Sequence, residues 1–329
     1  MTEEQPPADR ASDWAAWAIS VLNGAFGDYL RDRGNSLAID MAFYHQGRPL
    51  ALTLESLLRA HPRPTPKICV LIHGLSCDVS IWSYGDTPQD PDTSYGALLR
   101  ADLGYTPFFV RYNTGLPIAE NGRALAALLD DLLTIYPARV DEIALIGHSM
   151  GGLVLRSACH EGVERRSGWV EQVRQVFYLA TPHSGANLEK LGHITTKVLH
   201  AVPNPITRLV GDIINLRSRG VKDLRSGNLL HPDETDEPPR HGWKALPWLT
   251  GARHYMIVGS LTADLAHPAA ALFGDGLVHA PRPHEPWHVD DEEPPIPGEN
   301  VRLFPGVHHL KLAHDPAVYQ QIRAWCASE

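Results

Sequence analysis

Long apolar runs, an excess of basic charge and paired cysteines are all missing from this chain, and each absence removes a class of function. No apolar stretch reaches the ~18 residues that suggest a membrane span, so no transmembrane segment is expected. Basic side chains number 29 against 38 acidic ones, a formal net charge of −9. That sign opposes a phosphate backbone, and no nucleic-acid partner is expected. Only four cysteines occur, Cys69, Cys77, Cys159 and Cys326. They have neither metal-ligand spacing nor the density of a disulfide framework, and they read as buried or incidental thiols. The opening residues, MTEEQPPADR, are acidic and proline-rich, the opposite of a secretion signal. The expected location is therefore the cytoplasm.

What remains is the composition of a globular protein. The 329 residues are 43% hydrophobic and 20% charged, which excludes global disorder and collagen-like repetition. A chain of this length forms one large α/β domain or two small ones and buries roughly 75% of its unfolded surface, so it needs no covalent staple.

The pattern along the chain points to one organisation. Residues 1–12 read as a disordered lead. Asp13 can cap a helix in which Trp14, Trp17, Ala18, Val21, Leu22 and Ala25 recur at helical spacing. Residues 37–45 and 48–54, separated by Gln46-Gly47, read as a β-hairpin. A proline-broken stretch then leads to the run 67–72, apolar after Lys67, followed by similar runs at 106–110, 143–146, 173–179 and 255–258. Short apolar runs bounded by breakers suit strands buried on both faces. Helical patterns lie between them, at 119–133 and from Met150 onward, and strands alternating with helices imply a parallel sheet. Residues 184–252 interrupt the rhythm, with helical patterns at 191–201 and 206–218 and an acidic, proline-rich loop at 231–241. An insertion of that size more often covers a site than fills a core. A second loop of that kind, 281–299, precedes a last strand at 301–304 and a closing amphipathic helix at 317–325.

The sharpest chemical signal is Gly147-His148-Ser149-Met150-Gly151-Gly152, placed between the strand 143–146 and a helix. A tight strand-to-helix turn of this kind projects the Ser149 hydroxyl from a strained backbone, so the residues two before and two after it must lack bulk. The unpaired N–H groups of the following helix suit a developing oxyanion.

A serine needs a base, and in this architecture the acid and then the histidine follow the nucleophile in sequence. His308 and His309 follow the last strand. His309 is preferred because Leu310 and Leu312 can pack its loop back onto the fold, with His308 as the alternative. The acid should lie beyond the strand 255–258, where Asp275, between Gly274 and Gly276, is preferred to Asp264, which also reads as a helix cap. The backbone N–H groups of Leu75, after His73-Gly74, and of Met150 are the expected oxyanion donors. His148 reads as packing beside the turn, and His183 as shaping its loop. His279, His284 and His288 form no helical i, i+4 pair with a third ligand, so neither metal nor cofactor is expected.

With those residues in place the chain resembles a known group. HGL after an early strand, GHSMGG, ATPHSG, GDGLV and HHLKL…VYQQIRAW, in that order, are similar to motifs of α/β-hydrolase serine esterases and lipases. The likeness is to bacterial lipases and proteins like the GPI inositol-deacylases, and it runs from Lys67 to the C-terminus. It implies a mostly parallel central sheet flanked by helices, with a helical lid or cap at about 184–252 in a domain spanning 13–329. It implies a Ser149–Asp275–His309 triad, with Leu75 and Met150 as oxyanion donors. It also implies a small-molecule or lipid-like ester substrate, hydrolysed through an acyl-enzyme. A thioesterase or a lactone- or amide-cleaving hydrolase would use the same triad, and a non-catalytic binding protein could share the scaffold.

Overall fold

The computed structural model describes residues 8–84, 93–183, 218–226, 229, 246–260 and 296–328. These residues form an eight-stranded sheet ordered β2-β1-β4-β3-β5-β6-β7-β8. The strands are β1 (Ala42–His45), β2 (Arg48–Pro49), β3 (Lys67–Ile72), β4 (Thr106–Arg111), β5 (Glu142–His148), β6 (Val173–Leu179), β7 (Arg253–Ser260) and β8 (Val301–Pro305). From β4 to β8 every neighbouring pair is parallel. Only β1 and β2 run antiparallel, at one edge.

The apolar strand runs are explained by helices on both faces. Along β3, Ile68, Val70 and Ile72 pack on one side with Leu125 and Leu129 of α4 (Ile118–Ile135) and Leu153 and Val154 of α5 (Met150–Arg165). Cys69 and Leu71 point the other way, towards Leu99 of α3 (Tyr95–Leu103) and Val318 and Ile322 of α7 (Pro316–Ala327). A period-two strand that is apolar on both faces is the expected signature of a doubly covered parallel sheet. Cys69, Cys159 and Cys326 are buried, and burial pushes the Cys77 and Cys159 thiols up to about 12 and the Cys69 thiol well above its ordinary value, so Cys69, Cys77 and Cys159 are not ready thiolates.

Three local expectations are corrected. The first helix, α1 (Ala8–Asp32), begins five residues before Asp13. The stretch from Ala8 to Ser12 has no proline or glycine to stop it, so the lead read as disordered to residue 12 is already helical from residue 8. Strand β1 begins at Ala42 rather than at residue 37. The Leu37 carbonyl and the Ile39 N–H are taken by the Asn23 side chain, at 2.7 and 2.9 Å, which removes them from the ladder. After β2 the chain turns into a short helix, α2 (Leu54–Ala60), capped by Thr53, whose hydroxyl accepts from the Ser56 N–H at 3.2 Å. The expected helix at 191–201, and all of that at 206–218 except Ser218, lie outside the described residues.

Two pieces of the insertion are anchored to the body. Helix α6 (Arg219–Ser226) sits against α1 and α4. The Arg219 guanidinium reaches Asp32 at 3.1 Å and Asp28 at 3.5 Å. Asp223 accepts the Ile118 N–H at 3.0 Å and so caps α4, which starts at Pro117 without a capping side chain of its own. Farther along, Trp248 lies under the guanidinium of the buried Arg156, 4.1 Å from the ring centre, and Arg156 also bonds the Leu246 carbonyl.

Candidate active site

Strand β5 ends in a turn whose geometry is dictated by its glycines. Ser149 has φ 55° and ψ −124°, in a region that non-glycine residues occupy only when their surroundings force it. Its N–H is held by the Leu179 carbonyl at 2.8 Å, and its hydroxyl does not cap α5. The surroundings admit no side chain at the flanking glycines. A Cβ on Gly147 would stand 2.6 Å from Gly152 Cα, and one on Gly151 would stand 2.5 Å from the Ile72 carbonyl oxygen. On Gly152 it would stand 2.0 Å from Thr181 Oγ1.

The loop after β3 passes directly over this serine. A Cβ on Gly74 would lie 2.9 Å from Ser149 Cβ and 3.2 Å from His148 Nδ1. The chain thus comes closest to Ser149 at Gly74, the residue before Leu75. Met150 opens α5, and its N–H belongs to the first turn, which has no intrahelical acceptor. The loop is fastened by Tyr112, whose hydroxyl donates to the His73 carbonyl at 2.9 Å and whose ring stacks on His73 at 4.7 Å.

Among the described residues, positive φ at non-glycine positions gathers here. Gln46 lies in the β1–β2 turn and Arg166 ends α5. The other three, Ser76, Ser149 and Ala180, follow the carboxyl ends of β3, β5 and β6, which are neighbours in the sheet. Strained backbone is thus concentrated on one rim of the sheet, the kind of place where such strain clusters at functional sites.

His309 opens a short 3₁₀ turn, His309–Ala313, just beyond β8. It is 4% exposed, whereas His308 faces solvent. His148 connects this segment to the serine turn. Fully buried, it donates from Nε2 to the His309 carbonyl at 2.9 Å, and the two rings lie 4.9 Å apart between centres. Expected only to pack, His148 instead spans the Gly74 loop and the His309 backbone. The structure therefore brings together Ser149, Met150, the Gly74–Leu75 turn and the His309 segment. Asp275, its alternative Asp264, and His279, His284 and His288 lie outside the described residues. Among the described residues no group of three or more His, Cys, Asp or Glu side chains could hold a metal ion.

Behind the turn sits a buried aromatic and histidine cluster. His183 receives a hydrogen bond from Arg156 at its Nδ1 (3.4 Å), and its ring meets Tyr178 edge-on at 4.8 Å. His254 donates from Nε2 to the Leu249 carbonyl and accepts from the Tyr178 hydroxyl, both at 3.1 Å. Burial pushes His73 and His254 down to about 4 and His183 well below its ordinary value. These imidazoles are neutral in the fold.

In the unfolded chain they take up protons near 6.5. The unfolded state therefore binds more protons between about pH 6.5 and 4, and stability falls as pH falls through that window. His73 and His254 each contribute on the order of 3 kcal/mol at most. Urea unfolding at pH 7, 6, 5 and 4.5 is expected to show a steady decline; a flat profile would contradict the neutral cluster.

The strand order, the serine turn on β5 and the histidine segment after β8 define an α/β-hydrolase fold. Comparison with known proteins agrees. Residues 113–213 match the family model described as "PGAP1-like alpha/beta domain". Among solved structures the chain is similar to the lipase BlEst2 of Bacillus licheniformis in its propeptide form, with TM-score 0.50 and 18% identity over 81% of this chain. The chain spans 52% of that structure's length. The mature form gives TM-score 0.48 at 18% identity, covering 80% of this chain and 94% of that one. The naproxen esterase of Bacillus subtilis gives TM-score 0.40 at 13% identity, covering 79% and 83%. No curated protein matches the chain. Among the described residues no helix is long and apolar enough to cross a membrane.

Proposed function

We propose that this protein is a serine hydrolase of carboxylic esters that works through an acyl-enzyme. The observation that carries the reading is the Ser149 turn: a strained serine at a helix N-terminus, with the Gly74–Leu75 backbone against its Cβ and the His309 segment tied to the adjacent His148. Ser149 Oγ attacks the ester carbonyl carbon as His309 takes its proton. The N–H groups of Leu75 and Met150 stabilise the tetrahedral oxygen, and the alkoxide leaves with the proton returned by His309. Water, activated by the same imidazole, then releases the acid. Asp275 is the proposed orienting carboxylate. The burial of His309, against the exposure of His308, supports His309 as the base.

The insertion at 184–252 is proposed as a lid over an apolar acyl pocket, fastened where Arg219 and Asp223 meet α1 and α4. A series of p-nitrophenyl esters of increasing acyl length, with a matched acyl-CoA thioester and anilide, tests the reading. Ester turnover that changes at least about tenfold along the series is expected for a shaped pocket. A flat series contradicts the pocket, and faster cleavage of the thioester or anilide contradicts the substrate class.

A further inference from the structure

Helix α1 contributes no residue to the proposed chemistry, yet it is seated on the loops that build the site. Ser76, next to the Leu75 amide, has φ 58°, a conformation that has to be held from outside. Two contacts hold it. Its N–H donates to Thr114 Oγ1 at 3.2 Å, and Thr114 is 1% exposed. On its other side lies Gly24 of α1, so close that a Cβ there would stand 2.1 Å from Ser76 Oγ, 3.1 Å from Ser76 Cβ and 3.2 Å from Ser76 Cα. Rotating the hydroxyl away would not relieve the last two approaches.

The same helix face fixes the loop that carries Thr114. Gly27, almost one turn on, abuts Asn113, where a Cβ would stand 2.6 Å from Asn113 Cγ. Asn113 Nδ2 donates to the Gly27 carbonyl at 2.9 Å, and Asn113 Oδ1 accepts from the Gly115 N–H at 3.0 Å. A Cβ on Gly115 would meet the Asn23 carbonyl oxygen at 2.2 Å. Phe26, at φ −137° and ψ 16°, breaks the regular helix between the two glycines. Upstream, Arg111 at the end of β4 donates to the Ala16 carbonyl at 2.7 Å and to Ser20 Oγ at 2.9 Å. These interactions place α1 across the carboxyl ends of β3 and β4 as a fixed body.

We propose that α1 is the brace of the oxyanion loop, and that Gly24 and Thr114 are positioning residues that hold the Leu75 N–H on the reacting carbonyl. The inference rests on the serine-hydrolase reading and adds to it a requirement for residues far from Ser149 in sequence. Misplacing an oxyanion donor by a fraction of an ångström raises the barrier to the tetrahedral state and leaves ester binding almost unchanged.

The test compares Thr114→Val, Thr114→Ser, Thr114→Ala, Gly24→Ala and Ser149→Ala in the full chain. Thermal midpoints are measured alongside kcat and KM for a short-chain p-nitrophenyl ester. Inhibition by an alkyl trifluoromethyl ketone is the further readout, because Ser149 Oγ adds to the ketone carbon, the proton passes to His309, and the new oxyanion sits between the two amides. Thr114→Val and Gly24→Ala are expected to lower kcat about 10- to 100-fold with KM within about twofold, and to weaken the ketone by the same factor. Thr114→Ser keeps the acceptor and stays within about threefold of the parent. Thr114→Ala creates no clash and reports the lost acceptor if the valine variant does not fold.

Normal kcat in folded Thr114→Ala or Gly24→Ala protein would overturn the brace while an inactive Ser149→Ala left the hydrolase reading standing. So would a fall in kcat with undiminished ketone affinity. Full activity in Ser149→Ala would overturn both.

Discussion

Ser149→Ala is expected to lower kcat for a p-nitrophenyl ester by about 10⁶-fold, with the fold intact. The serine hydroxyl forms the covalent bond, and methyl cannot replace it. The turn itself survives the substitution, because what enforces φ 55° is the set of close approaches at Gly147, Gly151 and Gly152 and the bond from the Ser149 N–H to Leu179. The hydroxyl makes no capping bond to α5, so removing it leaves no helix donor newly exposed. A trace of turnover from the oxyanion donors and substrate binding is the expected floor. An unchanged thermal midpoint with ester hydrolysis at that floor is the predicted pair of results, and retained hydrolysis would remove Ser149 from the mechanism.

The second large effect separates two adjacent histidines. His309→Gln should cost on the order of 10⁴- to 10⁶-fold in kcat, because the serine then loses the group that takes its proton. His308→Gln should stay within about threefold, since substitution of an exposed side chain contributes little. Fold is not the issue at either site. His148 bonds the backbone carbonyl of His309 rather than its ring, so the segment keeps its anchor in the glutamine variant. Steady-state kinetics on both variants decide it, and a large loss in His308→Gln with a small one in His309→Gln would reverse the assignment.

Much of the scaffold was legible because it depends on burial, which leaves a mark in local composition. Runs such as 68–72 and 143–146 are apolar at every position because their strands are covered on both faces, and they appear where expected. The serine turn was legible because its steric demands fall on glycines within three residues of Ser149. Features that depend on chain segments meeting from far apart were not. Asn23 takes two backbone groups of residues 37–39, and nothing in that stretch alone foretells a strand that starts late. His148 reads as filler until the His309 carbonyl, 161 positions away, arrives at its ring. Gly24 and Gly27 look like weak spots in a helix, and their use is visible only once Ser76 and Asn113 are seen pressed against them. Ser76 and Ala180 carry positive φ with no glycine to announce it, because the strain is imposed by tertiary neighbours.

One measurement bears most directly on Ser149 as the nucleophile. An alkyl fluorophosphonate phosphonylates an activated serine: the Oγ–P bond forms, fluoride leaves, and the hydroxyl proton passes to the base. Incubating the full chain with this reagent and mapping the adduct by peptide mass spectrometry should give one stoichiometric label on Ser149, absent from the Ser149→Ala and strongly slowed in the His309→Gln protein. A native chain that stays unlabelled, or carries its label on another residue, would contradict the account.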